Sequence, residues 1–246
     1  MKKDPTLLIG FKNGILATAA LRKENSNFYA FVKHSCEGLI DLAKTWDGYE
    51  EIVVKMEKYA TNLMENLLKM QEPLPGEFKV LNHGDLWVNN VMFKYDENSV
   101  PSDMVFLDYQ MSIWGSPGID LNYFFYTSLS PDLLRTKREF FIRFYYNELR
   151  TNLTKLRWNV IPTYEELRAQ IGRRELFGFF ANHAIYPIIS IEEELAGDST
   201  FQNFSNPDKV SPCSMNHNQF EPSLLTVRVS PEGTNSKCHT GSMSVN

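Results

Sequence analysis

The sequence predicts an α+β chain, a mostly helical body with one small β element. Three features carry that prediction. Apolar residues recur at three- and four-residue steps through most of the chain, the spacing of amphipathic helices. Two short runs of β-type residues, 91–95 and 104–108, are joined by the turn-rich DENSVPS and so read as a hairpin. Helix-start signals, Ser130-Pro131-Asp132 and Thr163 with Glu166, separate the later periodic stretches. With 43% hydrophobic and 13% aromatic residues in a chain of 246, a sizeable core is available. A compact chain of this length buries roughly 70–75% of the surface its unfolded form exposes.

Taken in order, residues 1–24 show little beyond a turn and a short helix over 15–21. From Phe28, the positions Phe31, Val32, Cys36, Leu39, Leu42, Ala43 and Trp46 mark an amphipathic helix. Ser26 or Asn27 can cap its first turn and Gly48 can end it. A second helix spans 50–70, with Val53, Met56, Tyr59, Leu63 and Leu67 on one face; Pro73 and Pro75 stop it, because proline lacks the amide a helix interior uses. Residues 78–81 read as a short strand entering a loop, and the hairpin follows. GSPG at 115–118 reads as loop, after which Asp120 or the residue before it starts an apolar helix. Ser130 caps the next helix, with Pro131 at its first position and Asp132 near the positive end of the dipole. Leu133, Leu134, Phe140, Phe141, Phe144, Tyr145 and Leu149 form its buried face. Thr163 and Glu166 make a capping box for a helix that breaks near Gly172 and resumes to about Ile189. From about Asn203 the chain is rich in Ser, Asn, Pro and Thr and lacks helical periodicity. It reads as disordered apart from a brief strand over 224–229, since it cannot bury enough apolar surface to offset ordering. The division is therefore a folded unit over 1–202 and an atypical tail over 203–246.

Bulk properties exclude several classes. Net charge is −5 and the isoelectric point about 5.6, with no basic cluster interleaved with aromatics, so nucleic acid is not an expected partner. Three widely spaced cysteines, Cys36, Cys213 and Cys238, read as reduced thiols of a cytoplasmic protein. The opening MKKDPTLLIGFKNG is not a signal peptide, because it carries an acid and no long apolar run. The most apolar later segment, LFGFFANHAIYPIISI, is interrupted by Asn182, His183 and Pro187 and falls short of the ~20 residues a membrane span needs.

The stretch that concentrates chemistry runs over 80–120. Within HGDLWVNN, Asp85 and Asn90 stand five residues apart on one loop, and the hairpin returns a second acid, Asp108, at the end of VFLDY. Transfer of a phosphoryl group needs an acceptor hydroxyl held in line and cations set against the phosphate charge. Magnesium takes a few hard oxygen ligands and keeps some waters, which one carboxylate and one amide allow.

The stretch HGDLWVNNVMF, with FLDYQ and GSPGIDL after it, resembles the catalytic core of the choline kinase and aminoglycoside phosphotransferase group, relatives of protein kinases. It is most similar to the ecdysteroid kinase-like (CHK kinase-like) family, and the likeness reaches from the opening segment to the acidic run near Glu192. The resemblance implies a protein-kinase-like C-terminal lobe that transfers the ATP γ-phosphate to a hydroxyl of a small molecule, an ecdysteroid or similar alcohol. By matching position it implies Asp85 as catalytic base, Asn90 and Asp108 as ligands of magnesium and so of the nucleotide, and His83 and Asp120 as supports of the catalytic loop. Gln110 and Trp87 match the pattern without an assigned task. The thirteen glycines never form GxGxxG, and Lys2 and Lys3 stand too near the start to sit in a β-lobe. The expectation is a chain without the N-terminal lobe, exposing the surface on which that lobe docks. A catalytically incomplete fragment that only binds a partner is the alternative.

Ordinary structural roles compete with these assignments. His83 could be a satisfied core histidine, Asp85 and Asp108 solvated turn acids, and Asp120 a helix N-cap. Asn89 competes with Asn90, and only the spacing favours Asn90. The aromatic runs over 123–126 and 140–146 read as core. Cys213, His217, Cys238 and His239 fit no standard zinc spacing.

Overall fold

The chain's structure, a computed structural model, describes residues 8–11, 14 and 26–189. The helix expected over 15–21, the acidic run at 192–194 and the tail over 203–246 with its strand and its cysteines and histidines lie outside the described residues. Helix α1 (Asn27–Ala43) opens on Ser26, whose Oγ accepts from the Tyr29 N–H at 3.1 Å. It ends at Ala43, ahead of Gly48, because the N–H groups of Lys44, Thr45 and Trp46 turn back onto the carbonyls of Ile40, Leu42 and Ala43. The single helix expected over 50–70 is two, α2 (Glu50–Thr61) and α3 (Leu63–Gln71). Asn62 between them adopts φ −122° and ψ 36°. Asn66 Nδ2 donates to the Tyr59 carbonyl at 3.2 Å, taking the acceptor that an unbroken helix would give to residue 63.

The β structure forms two small antiparallel sheets where the sequence pointed to one hairpin. Strand β1 (Val80–Asn82) pairs with β4 (Ile113–Gly115), and β2 (Val91–Tyr95) pairs with β3 (Pro101–Phe106). The three residues of β4 are hidden in sequence by the adjoining glycine and proline; pairing with β1, three residues against three, makes them a strand. The hairpin's second strand ends at Phe106, so Asp108 lies beyond it. Helix α4 (Gly118–Ser128) begins two residues before Asp120, and Ser116 Oγ caps it by accepting from the Gly118 N–H at 3.2 Å. Helix α5 (Pro131–Lys155) starts on Ser130 as expected, but its apolar face is only partly covered. Leu134 and Ile142 are buried, whereas Leu133, Phe140 and Phe144 are exposed, the two phenylalanines stacked on each other at 6.4 Å. The capping box of Thr163 and Glu166 opens α6 (Tyr164–Arg173); Arg174 breaks the helix, and α7 (Glu175–Phe180), a π-turn (Ala181–Ile185) and α8 (Tyr186–Ile189) follow.

The chain is thus mostly helical with a small β component. Helix α4 is the shared wall between two clusters of buried side chains. Ile119 and Tyr123 join the larger core of α1, α2, α3 and α7, while Phe125 and Tyr126 face Leu134 and Ile142 of α5 and Leu167 and Ile171 of α6. A helix apolar on all sides suits this central position. Arg174, buried, holds Glu77 through two bonds of 2.5 Å and the Glu72 carbonyl at 3.0 Å. No described helix is long and apolar enough to cross a membrane.

Candidate active site

The β1–β4 pairing sets Asn82 opposite Ile113, and Asn82 Nδ2 donates to the Ile113 carbonyl at 3.2 Å. The chain leaving β1 therefore runs beside the segment entering β4. At Gly84, φ is +85°, and a Cβ there would stand 1.9 Å from the Met111 carbonyl oxygen. Only glycine accepts both the left-handed backbone and that approach.

Asp120 fixes this loop from below. Its two carboxylate oxygens accept from the main-chain N–H groups of His83 at 2.6 Å and Gly84 at 2.9 Å. It acts from inside the first turn of α4, so it is not the helix N-cap, and its hydrogen bond with His83 is to the main chain. The His83 ring bonds the Leu107 carbonyl through Nε2 at 2.6 Å and packs on Tyr109 at 4.8 Å between ring centres. Burial pushes the Asp120 carboxyl above its usual range, against the pull of the two N–H bonds.

Asp85 and Asn90 meet. A one-turn helix (Val88–Asn90) folds the asparagine back, and its Nδ2 donates to the Asp85 carbonyl at 2.8 Å and to Oδ2 at 3.1 Å. The other carboxylate oxygen, Oδ1, accepts from the Tyr123 hydroxyl at 2.6 Å. Asn89, by contrast, is exposed. Asp108 is brought alongside by its neighbour: the Leu107 N–H donates to the Asn90 carbonyl at 2.8 Å while the Leu107 carbonyl is held by His83. The residue ahead of Asp108 is thus tied at both its polar atoms to the loop bearing Asp85. Asp108 itself is exposed and adopts φ 60°, ψ 65°, a left-handed backbone that aspartate tolerates better than most residues but that still needs support from its surroundings. Gln110 Nε2 donates to its Oδ2 at 3.2 Å.

In sequence Tyr123 reads only as core, and Gln110 has no assigned task. The available signal for Tyr123 was a tyrosine inside an apolar helix, whose hydroxyl needs a partner once buried. Trp87 packs against the larger core. Among the described residues no three His, Cys, Asp or Glu gather as a chelating cluster. The donors left over on Asn90 and Asp108 are hard oxygens. Asn90 commits its Nδ2 inward to Asp85, which leaves its side-chain Oδ1 for a cation, and Asp108 commits only one carboxylate oxygen to Gln110. This donor set suits magnesium, which shares its coordination with waters and phosphates.

A carboxylate and an amide held on one loop, with a second carboxylate just beyond the adjoining hairpin, form the candidate site. The family model for the ecdysteroid kinase-like family matches residues 1–158. The chain belongs to that family. The match ends at residue 158, short of the acidic run near Glu192 that the motif likeness reaches. No curated protein and no solved structure gives a significant match.

Proposed function

We infer that the chain is built to transfer the γ-phosphate of ATP to a hydroxyl of a small molecule, with an ecdysteroid or similar alcohol as the first substrate class. The observation that carries this reading is the Asp85–Asn90 pair, fixed at 2.8 and 3.1 Å on a loop whose base is clamped by Asp120. Asp85 accepts a hydrogen bond from the acceptor hydroxyl. As the acceptor oxygen bonds to the γ-phosphorus and the bond to the β–γ bridging oxygen breaks, Asp85 takes the hydroxyl proton and ADP departs. Asn90 and Asp108 would hold magnesium, which when bound offsets the phosphate charge. His83 and Asp120 keep the loop and the residue before Asp108 in register. A cytoplasmic setting fits this chemistry and the one described cysteine, Cys36, whose thiol burial pushes up to about 12 and so keeps inert.

The fold this reading invokes is the C-terminal lobe of a kinase, and the hairpin supports it. Met92, Phe93, Tyr95, Met104, Val105 and Phe106 are each more than a third exposed, so both faces of β2–β3 are open. Such a ribbon is marginal by itself, and an apolar area of this kind marks an interaction surface. The occupant we propose is a nucleotide-covering N-terminal lobe, the partner a kinase-like C-terminal lobe calls for. The same exposure favours the second reading, a binding module that does not catalyse. Melting the full chain with and without magnesium ATP, and following γ-phosphate transfer to an ecdysteroid, separates the two. Stabilisation by the nucleotide with transfer lost in Asp85→Asn supports the enzyme; no stabilisation and no transfer refutes it for this chain.

A further inference from the structure

We propose that Tyr123 is a positioning residue for the Asp85 carboxylate, holding its plane so that it presents a fixed oxygen to the acceptor hydroxyl. The proposal rests on the reading of Asp85 as the base. Tyr123 projects from α4 with 1% of its surface exposed, its ring 6.1 Å from that of Phe177. Packing of this kind leaves the phenol little freedom, and its hydroxyl donates to Asp85 Oδ1 at 2.6 Å. On the other side Asn90 Nδ2 donates to Oδ2 at 3.1 Å. A carboxylate held through both oxygens cannot rotate without breaking one bond, and each oxygen keeps a lone pair for the acceptor.

The two restraints are not equivalent. Asn90 belongs to the same short loop as Asp85 and would move with it. Tyr123 belongs to α4, the wall between the two cores, so it alone references the carboxylate to the body of the protein. Helix α4 also carries Asp120, which holds the loop backbone one residue away at Gly84. One rigid helix thus fixes both the main chain and the side chain of the loop. Burial, with the adjacent Asp85 charge, keeps the phenol well above its ordinary value, so it stays a donor.

Helix α4 supplies its own control. Tyr126, also buried, sends its hydroxyl to Glu175 at 2.8 Å instead of to the loop. The test compares the full chain with Tyr123→Phe, Asp85→Ala, their double variant and Tyr126→Phe, in thermal melts and in γ-phosphate transfer from magnesium ATP to an ecdysteroid. If the bond exists, the double variant melts several degrees above the additive expectation, because the second substitution finds the bond already lost. Additive melts overturn the proposal. Tyr123→Phe lowers kcat by roughly 10- to 100-fold, on the scale of a misplacement of about 1 Å. KM for ATP and acceptor stays within about twofold, the mark of an interaction that acts in the transition state. Tyr126→Phe lowers Tm and leaves kcat within about twofold. A raised KM at constant kcat for Tyr123→Phe, or equal kcat losses for the two phenylalanine variants, also overturns it. Transfer that survives Asp85→Ala refutes the base assignment and the catalytic half of this proposal with it. So does absence of transfer by the unaltered chain. In both cases the melts still judge the hydrogen bond by itself.

Discussion

Replacing Asp120 by alanine tests whether one side chain holds the loop. The substitution removes the acceptor of two main-chain donors, the His83 N–H at 2.6 Å and the Gly84 N–H at 2.9 Å. Hydrogen bonds to a charged group contribute about 1.5–3 kcal/mol each. His83 and Gly84 are buried, so both donors would be left without a partner, while Asp120 itself retains some contact with water. The expected loss is therefore about 3–5 kcal/mol. At roughly 2–4 °C per kcal/mol for a chain of this size, Tm falls by about 6–20 °C. Asp120→Asn keeps one acceptor and turns an amide towards the other donor, so it loses less. Circular dichroism melts at pH 7 measure both variants, and a Tm for Asp120→Ala within about 2 °C of the unaltered chain refutes the reasoning. The pH dependence gives an independent check. Burial raises the Asp120 carboxyl above 3.8, so the folded chain binds this proton more tightly than the unfolded chain. The increment that depends on this proton is fully present below the unfolded value and is lost as pH rises through the folded one, while the two N–H bonds to the carboxylate remain at pH 7. The stability advantage of Asp120 over Asn at this position should shrink as pH rises above 3.8 through the raised folded value. A widening gap over that range contradicts the assignment.

Two further outcomes follow from the same geometry. Gly84→Ala places a Cβ 1.9 Å from the Met111 carbonyl oxygen at φ +85°, and is expected to cost about 2–4 kcal/mol in urea denaturation; a loss under ~0.5 kcal/mol would mean the two loops are not in contact. Arg174→Ala strips the buried, bidentate partner from Glu77, whose side chain is only 4% exposed, and should cost about 3–5 kcal/mol. Burial pushes the Glu77 carboxyl up, but bonds from Arg174 and Arg173 outweigh it and hold it below 4.5, so the contribution is present above 4.5 and lost as pH falls through the lower folded value. Acidification should therefore destabilise the unaltered chain more steeply than Arg174→Ala, and parallel pH curves would contradict the pairing.

The order in which these features become legible has a physical cause. Local rules were sufficient wherever the deciding interaction lies within one turn of chain. Ser26, Ser130 and the Thr163–Glu166 box cap the helices that their sequences announce, because a cap needs only a donor two or three residues away. The break at Asn62 escaped, since Asn66 reaching back to Tyr59 competes with a helix that periodicity alone favours. Strand β4 escaped because three residues show no period; β1, more than thirty residues earlier, makes it a strand. The exposed Phe140 and Phe144 escaped because periodicity marks a face without saying what covers it.

For the site, sequence alone determined membership of a family and named the residues of one loop. Asp85 and Asn90 stand out by their five-residue separation on one loop, and the structure shows them in contact. Tertiary structure decided what steadies them. Leu107 joins the hairpin to the loop through its own backbone, and Asp120 clamps two N–H groups from a helix that begins more than thirty residues later. Tyr123, indistinguishable in sequence from core, meets Asp85 across a separation of 38 residues. Spacing along the chain encodes contacts only over a turn or two of backbone. Beyond that, distance in sequence carries no distance in space until β1 has paired with β4 and α4 has packed between its two cores.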